Sequence, residues 1–216
     1  MALLLGDANV ALAEESGGFV GIGIGGGGTK YIYDEKDTAN GEKRKVEKSR
    51  GGINYGFIAG YKQFFNDYLG LRYYVNLDIH HNMTKHKDDS EKYDITLLNY
   101  GANVDFLGNF LVTEMVDFGG FIGLGIGGNS LFGKYIKDLR SVTRENGYKF
   151  SNTGFDIWLN VGLRTNIAKY HGLELVARVP FMPVKMADEF DEIYSISHKE
   201  TLGQTYSILA RYTFSF

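Results

Sequence analysis

The sequence predicts an all-β fold, an eight-stranded antiparallel up-and-down transmembrane β-barrel, on three observations. Strict alternation of apolar and polar residues recurs in eight segments, the period of strands whose two faces meet different surroundings. The connections alternate long and short, as in outer-membrane barrels. No stretch approaches the roughly 18 consecutive apolar residues of a spanning helix. Any crossing must then use a closed barrel, the other fold that satisfies every backbone group in lipid.

Residues 19–33 open the series, with Val20, Ile22 and Ile24 on one face and Gly21, Gly23 and Gly25 on the other. Residues 53–63 set Ile53, Tyr55, Phe57, Ala59 and Tyr61 against Asn54, Gly56, Gly60 and Lys62. In 69–82, Leu69, Leu71, Tyr73, Val75, Leu77 and Ile79 oppose Gly70, Arg72, Asn76, Asp78 and His80. In 94–106, Leu98, Tyr100, Ala102, Val104 and Phe106 oppose Asn99, Gly101, Asn103 and Asp105. Residues 118–130 put Ile122, Leu124 and Ile126 against Gly123, Gly125 and Gly127. Residues 154–167 put Phe155, Ile157, Leu159, Val161, Leu163 and Ile167 against Asp156, Asn160, Gly162, Arg164 and Asn166. Residues 173–182 set Leu173, Leu175, Ala177, Val179 and Phe181 against Glu174 and Arg178. The last segment, "TYSILARYTFSF", sets Tyr206, Ile208, Ala210, Tyr212, Phe214 and Phe216 against Ser207, Arg211, Thr213 and Ser215.

Four long, charged connections are expected as loops at 34–50, 83–92, 131–152 and 183–203. Short turns are expected around Asn66-Asp67, around Gly108-Asn109 and at 169–172, which places both chain ends on the periplasmic side. "FLVTEMVD" after the second turn would extend either neighbour. Pro180 and Pro183 mark a bulge or the extracellular end of the seventh strand, because proline cannot donate to a ladder. Residues 14–216 are read as a single barrel domain. The first thirteen residues, "MALLLGDANVALA", end in the small-x-small pattern Ala11-Leu12-Ala13 and are read as a truncated signal peptide or an unstructured start.

"GGFVGIGIGGGG" at 17–28 contains a literal G-x-G-x-x-G. A dinucleotide fingerprint needs a helix after the glycines, and the stretch that follows alternates and then turns to mixed charge. The stretch also recurs at 119–128 as "GGFIGLGIGG", with only two aliphatic exchanges. Glycines repeated on one face of two strands are wall elements. They leave lumen space for larger interior side chains, the long arginines foremost, since eight strands enclose only enough volume to be filled by side chains.

Composition agrees. Glycine at 29 with only 2 prolines fits tightly packed strands and excludes collagen and flexible linkers. A net charge of −3 gives no footprint for nucleic acid, and the absence of cysteine excludes disulfides, thiolate metal sites and a lipid anchor on cysteine. A soluble lipocalin-type barrel is the structural rival, with apolar side chains inside and charges outside. Tyr55, Tyr61, Tyr73, Tyr100, Tyr206 and Tyr212 collect near strand ends on the apolar face, as interfacial girdles do. The membrane reading therefore turns Lys62, Arg72, Asp78, Asp105, Asp156, Arg164, Glu174, Arg178 and Arg211 into the lumen.

The terminal "YSILARYTFSF" resembles the insertion signal read by the outer-membrane assembly machinery, with Tyr206, Ile208, Ala210, Tyr212, Phe214 and Phe216 at alternate positions. Together with "YGFIAGYKQFFNDYLGLRYYVNLD", "NYGANVDFLGNF", "GGFIGLGIGGNS" and "LNVGLRTNIAKYHGLELVARVPFM", the chain resembles the Helicobacter outer-membrane protein family. That resemblance implies location in a Gram-negative outer membrane, among relatives some of which are adhesins or porins. Larger adhesive relatives carry an extracellular domain for which this chain has no length, so no ligand-binding residues carry over.

Candidate sites are few. His80 and His81 fall on opposite strand faces and with His86 make no metal set, because chelation along a strand needs i, i+2 spacing. Ser195, Ser197 and His198 supply a hydroxyl and a base with no orienting third group, so no catalytic residue and no cofactor is expected. Lys43, Arg44, Lys45, Lys48 and Arg50 in the first long connection are candidates for contact with lipopolysaccharide phosphates. The expected role is structural or surface-interacting, with membrane lipid, lipopolysaccharide and host surface molecules as partners and no nucleic acid. The alternative is a narrow porin-like channel tuned by the lumen charges.

Overall fold

The computed structural model describes residues 14–37, 40–82, 95–145, 149–191 and 196–216. Its strands are β1 (Gly17–Asp37), β2 (Lys43–Phe64), β3 (Leu69–Asn82), β4 (Thr96–Val112), β5 (Val116–Phe132), β6 (Thr153–Ile167), β7 (His171–Pro180), β8 (Val184–Asp191) and β9 (Ile196–Ser215), with one helix, α1 (Lys134–Glu145). The sheet runs β1 to β7 in sequence order and closes through β7–β9 and β9–β1, antiparallel at every step. Eight strands thus form the barrel. β8 stands apart, paired with the upper part of β9 and bridged at Ala187 to Phe150.

Alternation fixes which side of the wall each residue faces. On β3, Arg72, Tyr74, Asn76, Asp78 and His80 are buried while Tyr73, Val75 and Leu77 are exposed. The same holds around the barrel, with Ile22 63%, Leu124 57% and Ile208 50% exposed, against Arg72 at 3% and Arg211 at 4%. An apolar belt encircling a polar interior is the membrane arrangement and excludes the lipocalin-like rival. On β9 the outward run from Tyr206 to Phe216 covers the roughly 9–11 residues that a tilted strand needs to cross the hydrocarbon.

Several expected connections are secondary structure instead. Residues 34–50 continue the barrel wall: β1 runs to Asp37 and β2 starts at Lys43, paired residue for residue. Polar side chains did not stop the ladder, because beyond the hydrocarbon an outward lysine or glutamate faces water. The 183–203 connection holds β8 and the start of β9. β8 lies on the same edge of β9 as β7, so it resumes the line of β7 after a break between Pro180 and Pro183. The main-chain N–H groups of Phe181 and Met182 at that break donate to Asp156 Oδ1 at 3.3 and 3.0 Å.

Residues 131–152 contain α1 rather than only a loop. Tyr135, Ile136 and Leu139 fall at helical spacing, and they pack on a buried cluster of Ile95, Leu97, Leu131, Val184, Met186 and Leu202. The second short turn lies at 113–115, not at Gly108-Asn109. There Thr113 Oγ1 donates to the Val116 carbonyl at 2.6 Å and accepts from its N–H at 3.0 Å, while the ladder passes Asn109 with a register shift. The Asn66 turn stands as expected, its Oδ1 accepting from Tyr68 and Leu69 N–H. At the 168–170 turn, Ala168 and Lys169 take φ of 50° and 67°, the backbone twist that a tight hairpin requires. The expectations for residues 1–13, for 83–92 and for His86 and Ser195 fall outside the described residues.

Candidate functional site

The lumen is crossed by ion pairs that span its full diameter. In an eight-stranded ring β3 faces β7 and β2 faces β6. Arg72 on β3 reaches Glu174 on β7, and Arg178 on β7 reaches Asp78 on β3 at 2.5 Å. Glu14, just ahead of β1, pairs with Lys62 on β2 and with Arg164 on β6. Arg72 also holds Asp105 at 2.7 Å, and Arg211 holds Glu174 at 3.3 Å. All of these residues are buried.

The structure therefore places Lys62, Arg72, Asp78, Asp105, Asp156, Arg164, Glu174, Arg178 and Arg211 on the inner face. Among the described residues Asp156 forms no ion pair with an arginine. It accepts from Asn129 Nδ2 at 2.7 Å and caps the break after β7. Glu14 is the group that sequence reasoning passed over, as the residue after a cleavage-like pattern.

Inner aromatic and aliphatic side chains fill what the ion pairs leave. The Arg72 guanidinium lies 4.6 to 5.6 Å from the ring centres of Phe121, Tyr74 and Phe19, within cation–π range. Arg178 lies 5.2 Å from the Trp158 ring. Trp158 Nε1 donates to Asn103 Oδ1 at 2.6 Å, Asn160 Nδ2 donates to the same oxygen at 3.0 Å, and Arg178 Nε donates to Asn160 Oδ1 at 2.9 Å. Several inner glycines make room for these residues, and others for the acids that the arginines hold: a Cβ at Gly56 would meet Asp78 and one at Gly123 Asp105. A Cβ at Gly101 or Gly125 would meet Trp158, one at Gly162 Phe121, and one at Gly60 Tyr74. At the periplasmic end, between Glu14, Lys62, Arg72 and Arg164, lies a cavity of about 10 Å³, room for about one water.

The other candidate residues lie on the barrel wall above the belt. Lys43, Arg44, Lys45, Lys48 and Arg50 are on a strand, and alternation divides them. Even-numbered β2 residues face inward, as Asn54, Ile58 and Lys62 do. Arg44, Lys48 and Arg50 thus share the inner side, and Lys43 and Lys45 the outer. On the outer side Glu47 bridges Lys30 and Lys45 at 2.6 Å each, and hydrogen bonds from those two ammonium groups draw its carboxyl down to about 2.

The His198 ring lies tilted beside that of Tyr33, whose hydroxyl it meets at 2.9 Å, and 3.7 Å from Glu35. It faces a phenol and a carboxylate. His80 is buried between Asn54 and Asn82, and His81 meets Thr96 at 2.9 Å on the other face. Among the described residues no three His, Cys, Asp or Glu side chains gather to hold a metal. Tyr206, Ile208, Ala210, Tyr212, Phe214 and Phe216 all lie on the outward face at the closing strand.

Residues 56–216 match the family described as Helicobacter outer membrane protein. Among solved structures, the chain is similar to the outer membrane protein OprG from Pseudomonas aeruginosa, at 17% identity and a TM-score of 0.49, covering 94% of this chain and 99% of that one. It is similar to Neisserial surface protein A at 13% identity and a TM-score of 0.46, covering 94% and 100%. For Ail, the attachment invasion locus protein of Yersinia pestis, the values are 15%, 0.33, 92% and 99%. No curated protein matches the sequence.

Proposed function

The chain belongs to the Helicobacter outer membrane protein family, and from that premise we propose a structural and surface-interaction role, carried by the wall that stands above the bilayer. It is a small β-barrel of the Gram-negative outer membrane. The observation that supports the role is the set of cross-lumen ties from Arg72, Arg178 and Glu14. They occupy the path that a solute would need, and the 29–37, 43–51 and 196–204 stretches offer the surface that a partner would meet.

Planar-bilayer recording tests this reading. The purified protein is expected to give no discrete conductance steps. Reproducible steps altered by Arg72→Gln or Arg164→Gln would replace it with the narrow pore.

Within the surface role, the outer face of β2 is the part that lipopolysaccharide reaches. Lys43 and Lys45 project there, beside Lys30. Each exposed lysine contributes about 1 kcal/mol near an anionic headgroup, or roughly fivefold in affinity. Lys43→Gln with Lys45→Gln should weaken lipopolysaccharide binding to the detergent-solubilised protein, measured by titration. Unchanged binding would remove this face as the contact. Host surface molecules would meet the same extension from above.

A further inference from the structure

The inner face of the extension encloses space that the ion pairs below do not fill. A cavity of about 330 Å³ lies there, above a polar floor in which Thr29 Oγ1 donates to Asn82 Oδ1 at 3.2 Å. One side is apolar, from Ile95 and Leu202. Tyr31 and Tyr135 add two rings in an edge-on arrangement, centroids 6.5 Å apart. The remaining lining carries Lys48 and Arg50.

These two cations differ from those on the outer face. Lys30 and Lys45 share Glu47, whereas among the described residues neither Lys48 nor Arg50 has a carboxylate within ion-pair distance. The nearby carboxylate, Glu200, is engaged by the Tyr31 phenol, which burial and hydrogen bonds with Tyr135 and Glu200 hold protonated by pushing its pKa up. Two positive charges, two rings and an apolar wall therefore converge on one volume. At the lower end of the roughly 300–1,000 Å³ typical of ligand sites, it suits a small molecule.

We propose that this vestibule binds a small organic anion from the aqueous side, a carboxylate, sulfate or phosphate borne on a ring. Lys48 and Arg50 take the charge, and the ring lies against Tyr31, Tyr135 and Leu202. The leaflet is not the source. Alternation turns these two cations away from the outer surface, so a lipid headgroup beside the barrel meets Lys43 and Lys45 instead.

Titration of phenyl phosphate into the full chain in phosphatidylcholine nanodiscs tests the site, with inorganic phosphate and neutral phenyl β-glucoside as comparison ligands. Saturable binding of phenyl phosphate is expected, weakened about tenfold or more by Lys48→Gln with Arg50→Gln, the loss of two charge-assisted contacts. Lys43→Gln with Lys45→Gln should leave it unchanged. Leu202→Trp, which fills the cavity, should abolish it.

Heat-modifiable gel migration confirms that each variant is folded. Should Leu202→Trp not fold, the paired cation variants decide alone. No saturable binding, equal loss in both cation pairs, or no loss in the inner pair would overturn the site. Inorganic phosphate or the neutral glycoside binding as tightly as phenyl phosphate would overturn its assignment to a ring-borne anion. Bilayer conductance bears on the surface role and leaves this result untouched, so the two fail separately.

Discussion

Replacing Glu174 by Gln is expected to cost the folded barrel about 3–5 kcal/mol, because it strips the shared partner from buried charges. Glu174 receives both Arg72 and Arg211. Asp105 remains for Arg72 at 2.7 Å, but Arg211 loses its one carboxylate among the described residues. The isosteric amide keeps the volume and one acceptor, so lost packing does not confound the result. Urea unfolding from lipid vesicles measures the effect as a shift in midpoint.

Arg211→Met alongside Glu174→Gln should recover part of the loss, since replacing both members of a buried pair is far cheaper than removing one. A Glu174→Gln midpoint within about 0.5 kcal/mol of the parent, the scatter of ordinary surface substitutions, would mean that the cross-lumen ties do not hold the barrel together.

Which face each strand turns inward was legible in the sequence, because period two is read locally and does not depend on what a strand pairs with. Arg72 and Leu71 fall on opposite faces of β3 whatever β4 contributes. Pairing across the lumen was not legible. Knowing that Arg72 meets Glu174 rather than Asp156 requires strand order, register and tilt together. Glu14 nevertheless left a trace. The inner charges read from sequence are five cations, Lys62, Arg72, Arg164, Arg178 and Arg211, against four carboxylates, Asp78, Asp105, Asp156 and Glu174. A buried inner face with excess positive charge calls for another acid, and Glu14 supplies one where Lys62 and Arg164 converge.

The elements above the membrane were hidden for a different reason. Their outward faces carry no apolar belt, so their charge resembles that of a loop, although Val184 and Met186 flank Lys185 at strand spacing and Tyr135, Ile136 and Leu139 keep helical spacing. Inner residues such as Ile58, Tyr74 and Trp158 are not legible from alternation, because a large hydrophobe on the polar face looks like an exception to the pattern. Within a barrel whose lumen must be filled, it is part of the filling.

The repeated glycine stretches allow a controlled comparison, because Gly23 in β1 and Gly125 in β5 occupy the same place in "GGFVGIGIGG" and "GGFIGLGIGG". Both turn toward the lumen, on opposite sides of the ring. A Cβ at Gly23 has its nearest neighbours at 3.5 Å or beyond, an ordinary contact, so Gly23→Ala should change stability by less than about 0.5 kcal/mol. At Gly125 the added carbon collides with Trp158 Nε1 and Asn103 Oδ1, the two atoms joined by the 2.6 Å hydrogen bond. The indole must move, and the bond that anchors Asn160 and, through it, Arg178 is pulled apart.

Overpacking costs about 1–3 kcal/mol and a buried polar group left without a partner about 1–3 more, so Gly125→Ala should lose roughly 3 kcal/mol or more in the same urea assay. Trp158 is the single tryptophan, which makes the local event visible on its own: its emission should shift in Gly125→Ala and stay put in Gly23→Ala. Equal losses from the two substitutions would mean that the glycines answer to the backbone of the strands. A large difference, with the tryptophan signal following it, means that each glycine is set by the size of the side chain that crosses in front of it.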